Sequence, residues 1–319
     1  MEIDLAFDDE GLEKAVRALA EDGDATAALE LVAGEGDVHR REQAVSVLGA
    51  AGVNEIESLR EFAARQSYRP ERWLLLGAAL AAAAWGVRES PGRDWRSNRR
   101  EKRIDRRIIA QKALVAEART ALRRAAALSP GDAVPWSELT GVVIGAPLHA
   151  TETADVFKRA CVLAPGLYLA HARHLVGLTR RWYGSPDRVL AFAQARVAGR
   201  PDGHPLHALV ALAHVEGYVD GVLRGMAPGR FWRAWRYFAD PVVRDEVDSA
   251  ADRLLAGPDD HPWSMSAHQA FAAVYHRAGD LGRARAHLLR SGERAAVWPW
   301  RYFGDPGRRF GAARLAALP

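Results

Sequence analysis

Prolines at an almost constant spacing constrain the fold of this chain more than any other sequence feature. Pro130, Pro165 and Pro201 lie 35 and 36 residues apart. An apolar residue precedes each of them by eight or nine positions, at Leu122, Phe157 and Phe192. Proline interrupts a helix, and a regular period of this length is typical of repeated supersecondary units. The chain is therefore expected to consist of copies of one helical unit.

The segments between these breaks have the composition of helices. They are rich in alanine, leucine and arginine, and runs with alternating strand character are nearly absent. Helix starts are indicated by Ser185–Pro186, Asp240–Pro241 and Asp305–Pro306, because each pair places a capping oxygen before proline at the first helical position. Gly257 and Gly279 are typical helix stops. The sequence predicts an all-α fold of paired helices.

One helix pair carries a fuller signature. Its first helix reads W-x2-L-G-x2-L and its second A-x3-L-x2-A before a proline, at Trp73, Leu76, Gly77, Leu80, Ala118, Leu122, Ala125 and Pro130. This pattern resembles the tetratricopeptide repeat (TPR) family, whose units are about 34 residues long. The resemblance implies a right-handed α-solenoid of stacked antiparallel helix pairs.

Three segments follow from the repeat pattern and the charge distribution. Residues 1–66 are expected to form acidic N-terminal helical repeats or a cap, and residues 67–202 to form TPR-like repeats with a basic insertion at about 88–110. Residues 203–319 are expected to contain C-terminal TPR-like repeats. An isolated helix pair cannot bury its apolar face, so the pairs are expected to stack on one another.

A seven-residue motif occurs twice in the last segment. WRYFADP begins at Trp235 and WRYFGDP begins at Trp300, and six of the seven positions are identical. The favoured hypothesis is an aromatic plug that seals a helix pair before the next helix begins. The other hypothesis is a pair of surface aromatic–arginine clusters that bind a partner, formed by Trp235, Arg236, Tyr237, Trp300, Arg301 and Tyr302.

The resemblance also implies where a partner binds. In TPR proteins the concave groove is lined by the first helix of each pair, and the matching positions here are Leu74, Ala78, Ala81, Ser137, Gly141, Ile144, Ala172, Val176 and Thr179. None of these carries the lysine, arginine or asparagine with which some members hold a carboxylate. The expected groove is therefore apolar and suits a peptide helix, an apolar small molecule or a segment of the same chain.

The sequence contains no recognisable catalytic, cofactor or metal-binding motif. It has no G-x-S-x-G, no phosphate-binding glycine loop and no HExxH pattern. His171, His207 and His268 align with the repeat position of Trp73, so they are interpreted as packing residues and not as metal ligands. Asp259 and Asp260 are interpreted as acids at a helix start, where they favour the helix dipole. The expectation is a protein that uses no catalytic residue, cofactor or metal.

Composition and charge limit the remaining functions. Hydrophobic residues make up 49% of the chain and charged residues 26%, a globular balance that excludes an extended disordered chain. The stretch from Trp73 to Val87 is too short to span a membrane, the N-terminus lacks a secretory signal, and the single cysteine fits a reducing cytoplasm.

The leading hypothesis is a cytoplasmic, non-enzymatic scaffold that binds a protein or peptide. An alternative is a small-molecule-binding protein or an enzyme that uses the helical-repeat groove. A second alternative is a nucleic-acid-associated regulator that acts through the arginine-rich segment Arg93–Arg107. A solvated helix whose acids pair with its own arginines is the favoured interpretation of that segment.

Overall fold

A computed structural model describes residues 7–89, 99–144, 150–182, 184–224 and 236–318. Within these ranges all regular secondary structure is helical and no strand occurs, so the prediction of an all-α fold is confirmed. No helix in the described part of the chain is both long enough and apolar enough to cross a membrane.

The helices fall into two compact units. The first is formed by Asp9–Ala170 and the second mainly by His171–Pro319. The predicted divisions after residues 66 and 202 lie inside these units. The helices of the first unit are α1 (Glu10–Glu21), α2 (Thr26–Gly34), α3 (Val38–Ala51), α4 (Ile56–Arg65), α5 (Pro70–Glu89), α6 (Arg99–Leu128), α7 (Val134–Val143) and α8 (Ala150–Leu163).

Helix α9 (Tyr168–Gly177) begins at the end of the first unit, and its later residues belong to the second. The remaining helices are α10 (Pro186–Val197), α11 (Ala208–Arg224), α12 (Pro241–Leu255), α13 (Ser264–Ala278), α14 (Leu281–Leu288) and α15 (Pro306–Ala317). Short 3-10 helices occur at Gly52–Glu55, Arg180–Trp182, Pro205–His207, Tyr237–Ala239 and Trp300–Phe303.

The helix boundaries follow the predicted start and stop signals. Helices α10, α12 and α15 begin at Pro186, Pro241 and Pro306. The residue before each proline accepts a backbone N–H bond through its side-chain oxygen. Helix α13 ends at Gly279, which has a φ of 80°. That left-handed conformation strains a residue with a Cβ atom, which is the reason for glycine there.

The TPR-like signature corresponds to a close contact between α5 and α6. A Cβ atom on Gly77 would lie 2.5 Å from Cγ of Leu122, so only glycine permits this approach. Both helices are longer than a repeat helix requires, with 20 and 30 residues. The extra residues between the two halves of this repeat therefore partly extend its helices. Residues 90–98, which contain the start of the Arg93–Arg107 segment, lie outside the described residues.

Alternate helices contact each other in both units. In the first unit α3 contacts α5 and α5 contacts α7, while α6 and α8 pack beside these helices. In the second unit α11 contacts α13 and α13 contacts α15. The apolar cores lie along these contacts and include Leu48, Leu75, Leu122, Leu209 and Phe271.

Candidate binding cleft

The second copy of the WRYF motif forms a buried plug in the C-terminal unit. Trp300 is 1% exposed and meets the ring of Phe310 edge-on, with 5.8 Å between the centroids. Its Nε1 donates to Oε1 of Gln269 at 3.0 Å. The burial of Trp300 is what the plug hypothesis requires. Trp235, the matching residue of the first copy, lies outside the described residues.

Gln269 is the polar centre of this plug. Besides Trp300, its Oε1 accepts from the backbone N–H of Ala296 at 2.7 Å. Its amide nitrogen donates to the carbonyl oxygens of Ser291 and Arg294 at 3.0 and 2.8 Å. The side chain is fully buried and every hydrogen-bonding capacity of the amide is used. The plug therefore ties the loop after α14 to the middle of α13.

The tyrosines of the two motif copies converge on α11. The hydroxyl of Tyr302 donates to Oε1 of Glu216 at 2.5 Å. The hydroxyl of Tyr237 lies 3.1 Å from Nδ1 of His214. Beside these two partners, Gly217 leaves room for Tyr237, since a Cβ atom there would lie 2.6 Å from the tyrosine oxygen. The tyrosines therefore act as hydrogen-bonding wedges and are not free surface anchors.

Glu216 is a buried carboxylate with two partners. Nη2 of Arg181 lies 2.6 Å from its Oε2 and also donates to the Tyr302 hydroxyl at 3.0 Å. Burial raises the pKa of Glu216, while Arg181 and the hydrogen bond from Tyr302 oppose that rise. Burial and the nearby Glu216 charge raise the pKa of Tyr302, which keeps the hydroxyl protonated as a donor. The Arg181–Glu216 ion pair and its hydrogen bonds with Tyr302 therefore fix the 3-10 helix Trp300–Phe303 against α11.

A cleft of about 560 Å³ opens beside this turn. We call it the basic cleft, and its lining residues are Tyr218, Ala273, His276, Arg277, Ala278, Gly279, Trp300, Tyr302, Phe303 and Arg309. The lining combines aromatic rings with three side chains that can carry positive charge, and none of its described residues is acidic. Its volume is in the range of pockets that hold drug-sized ligands.

The two arginines of the basic cleft come from different helices. Arg277, near the end of α13, donates from Nη2 to the Tyr218 hydroxyl at 2.8 Å, and its guanidinium lies 5.5 Å from the centre of that ring. Arg309 lies in the first turn of α15 and is exposed. Burial lowers the pKa of His276, and the charges of Arg277 and Arg309 lower it further. Both arginines therefore lie close enough to His276 for their charges to act on it.

A wider cleft of about 780 Å³ lies in the first unit, between α6, α7 and α8. The guanidinium of Arg159 covers the Trp136 ring at 4.8 Å, and Val162 is 72% exposed at its edge. Its charges are mixed, because Asp155 lies among the lining residues with Lys158 and Arg159. It therefore presents no single chemistry to a ligand.

The positions predicted to line an apolar groove lie mostly in helix contacts. All of them except Val176 are buried, which applies to Leu74, Ala78, Ala81, Ser137, Gly141, Ile144, Ala172 and Thr179. In the first unit the reason is close packing of α3 on α5, where a Cβ atom on Gly49 would lie 2.6 Å from that of Ala78. The space left at Ala81, Gly141 and Ile144 is about 10 Å³, room for about one water molecule. These positions offer a ligand almost no open surface.

The remaining members of the predicted aromatic–arginine clusters occupy different settings. Arg236 and Arg301 are exposed, while Tyr237 and Tyr302 are partly buried. Of the cluster members that the structure describes, only Trp300 and Tyr302 line the basic cleft. The other residues of that cleft were not predicted, because their proximity depends on the packing of α11, α13 and α15. The duplicated motif was the one sequence signal that pointed to this region.

The predicted packing role of the aligned histidines agrees with their burial. His171, His207 and His268 are all fully buried. His171 stacks on Phe192 with 6.3 Å between ring centroids, and Nε2 of His207 lies 2.9 Å from the carbonyl oxygen of Pro201. His171 therefore connects α9 to α10, whereas His207 contacts the loop between α10 and the 3-10 helix Pro205–His207. Among the described residues, no three His, Cys, Asp or Glu side chains form a group that could hold a metal ion.

His268 also belongs to a network that the sequence did not reveal. Its Nε2 lies 2.8 Å from Oδ1 of Asp259, and its Nδ1 lies 2.9 Å from Nδ1 of His287. A carboxylate only accepts, so His268 donates through Nε2 and its Nδ1 accepts from His287. Nε2 of His287 is then an acceptor, buried without a hydrogen-bond partner in the described part of the chain.

This network corrects the interpretation of Asp259 and Asp260 as acids at a helix start. Helix α13 begins at Ser264, after the N-cap Trp263, so neither acid lies in its first turn. The role of Asp259 is to bind the buried His268, and Nη1 of Arg290 lies 3.5 Å from its second oxygen.

The comparisons with known proteins give no family for this chain. No family model matches it, and no curated protein is significantly similar to it. The resemblance to TPR proteins therefore rests on the residues quoted above.

Proposed function

We propose that the protein is a non-enzymatic scaffold that binds a protein or peptide partner. We further propose that its helix pairs form a right-handed, TPR-like α-solenoid. Support for this arrangement comes from the regular prolines and from the alternate-helix contacts within each unit. Cys161, the single cysteine of the chain, supports a proposed cytoplasmic location.

The basic cleft is the observation that carries this proposal. Tyrosine, tryptophan and arginine are the residue types that contribute most to binding at protein interfaces. The cleft offers tyrosine and arginine side chains, with Trp300 buried behind them, and the hydrogen bond from Tyr302 to Glu216 holds one wall in place before any partner binds. A fixed wall reduces the ordering that binding requires. The proposed site therefore moves from the apolar groove to this cleft.

A small-molecule-binding protein or an enzyme remains the second candidate function, because the cleft volume also suits a small organic ligand. Mass spectrometry of protein purified natively and then denatured distinguishes the two. A stoichiometric small molecule released on denaturation supports the second candidate, and a co-purifying polypeptide supports the scaffold.

The scaffold proposal is tested by capture with matched charge reversals. Arg308 and Arg309 are adjacent and both exposed, but only Arg309 lines the cleft. Wild type, Arg308→Glu and Arg309→Glu are immobilised, and bound polypeptides are quantified by mass spectrometry. We expect a partner that is retained by wild type and Arg308→Glu and lost by Arg309→Glu. Equal capture by all three proteins would contradict a partner site in this cleft.

A further inference from the structure

One charge of the basic cleft, that of Arg309, has no ion-pair partner in the described part of the chain. The nearby carboxylate of Glu216 is held by Arg181 at 2.6 Å. Glu216 is therefore paired with Arg181 and forms no ion pair with Arg309.

Helix electrostatics accounts for only part of the positive charge of the basic cleft. His276 and Arg277 lie in the last turn of α13, where cations favour the helix dipole. Arg309 lies in the first turn of α15, where a cation opposes the dipole. The charge of Arg309 also disfavours protonation of His276, and an anion bound in the cleft would offset that effect.

The positions of the basic groups are set by packing. Arg277 is held by the Tyr218 hydroxyl, and the Tyr218 ring packs against Phe238 and Phe303 at 5.1 and 5.9 Å between centroids. The start of α15 is fixed by the buried Pro306 and by the Asp305 cap. Two guanidinium groups on separate, anchored helices therefore border one space.

We propose that the basic cleft binds an oxyanion, either a carboxylate or a phosphate, between Arg277 and Arg309. Guanidinium groups form paired, charge-assisted hydrogen bonds with both oxyanions. The rings of Tyr218 and Phe303 flank the carbon skeleton that carries the charge. The inference rests on the proposed function, because the anion is expected to be an acidic group on the protein or peptide partner.

Small probes test the oxyanion site without a partner. Phenyl phosphate, benzoate and inorganic phosphate are titrated into the full-length protein by calorimetry at low salt, with phenol as the uncharged control. We expect one bound anion per chain and no binding of phenol. Tighter binding of phenyl phosphate than of benzoate would assign the site to phosphate, and the reverse order would assign it to carboxylate.

Two neutral variants localise the site. We expect Arg309→Gln to weaken binding about tenfold or more, because one charge-assisted contact is lost. Arg308→Gln removes the same charge from the neighbouring residue and should leave the affinity within about twofold, the effect of a remote exposed charge. Melting curves of both variants verify that they are folded.

The titration of His276 provides an independent readout. A bound anion offsets the positive charges that lower its pKa, so the His276 pKa should rise on binding of phenyl phosphate. His39, in the first unit, is the control and should not shift. Absence of binding by all three anions, or equal loss of affinity in both variants, would overturn the oxyanion site. Anion binding without a captured polypeptide would instead contradict the proposed scaffold, so the two proposals fail separately.

Discussion

Replacement of Trp300 by alanine is expected to be among the most destabilising single changes in the C-terminal unit. The indole is almost fully buried, packs edge-on against Phe310 and donates a hydrogen bond to Gln269. Truncation therefore removes a large apolar area, opens a cavity and leaves one acceptor of Gln269 with a single donor, the Ala296 N–H.

The magnitude follows from these contacts. Burial of about 200 Å² of aromatic surface at about 25 cal/mol per Å² corresponds to about 5 kcal/mol. The alanine retains part of that area, while the cavity adds a cost, so we expect a loss of about 3–5 kcal/mol. Trp300→Phe keeps most of the ring and removes the N–H donor, and should cost about 1–2 kcal/mol.

Guanidinium denaturation of wild type and the variants measures these losses. Arg301→Ala is the matched control, because the neighbouring Arg301 is exposed and its loss should cost under about 1 kcal/mol. Circular dichroism follows the helix content, and tryptophan fluorescence follows the packing of both units, since tryptophans occur in each. A Trp300→Ala midpoint equal to that of Arg301→Ala would refute the plug hypothesis and return Trp300 to the surface-anchor interpretation.

Three further changes test other parts of the structure. Glu42→Ala should lower the free energy of unfolding by about 2–4 kcal/mol, because this fully buried carboxylate accepts hydrogen bonds from Ser137 and from the Leu169 and Ala170 amides. Denaturation of the variant measures this loss. Gly49→Ala should lower the free energy of unfolding by about 1–3 kcal/mol, because the added methyl group would overpack on Ala78. Gly34→Ala is the control: no atom lies near its added methyl group, so the melting temperature should stay unchanged or rise. Burial, followed by the charges of His268, Arg283 and Arg290, lowers the pKa of His287 to about 2. Below pH 6.5 the unfolded chain therefore takes up a proton that the folded protein does not, and stability should fall by up to about 1.4 kcal/mol per pH unit as the pH is lowered. Urea midpoints from pH 7 to 4.5 should show this fall, and His287→Phe should reduce its slope.

The local signals of the sequence predicted helix boundaries well. Capping residues, prolines and glycines act over a few residues, so the amino acids alone place the starts of α10, α12 and α15 and the end of α13. The contact between Gly77 and Leu122 also agrees with the repeat signature. These features depend on chemistry within one helix or one pair.

The site could not be predicted in the same way. The basic cleft joins Tyr218, Arg277 and Arg309 from three helices, and no local pattern sets the distances among them. The Asp259–His268–His287 network has the same origin, since its members are brought together by packing of α13 and α14. The burial of most predicted groove positions also depends on packing, because small residues such as Gly49 and Ala78 let helices approach closely.

Hydrogen–deuterium exchange of the protein with its captured partner compares the basic cleft and the predicted groove as binding sites in one experiment. We expect slower exchange of backbone amides in residues 273–279 and 300–309 when the partner is bound. The adjacent residues of α12 should exchange as they do in the free protein. Protection confined to the predicted groove positions 74–81 and 137–144, with no change at 273–279 or 300–309, would contradict binding at the basic cleft.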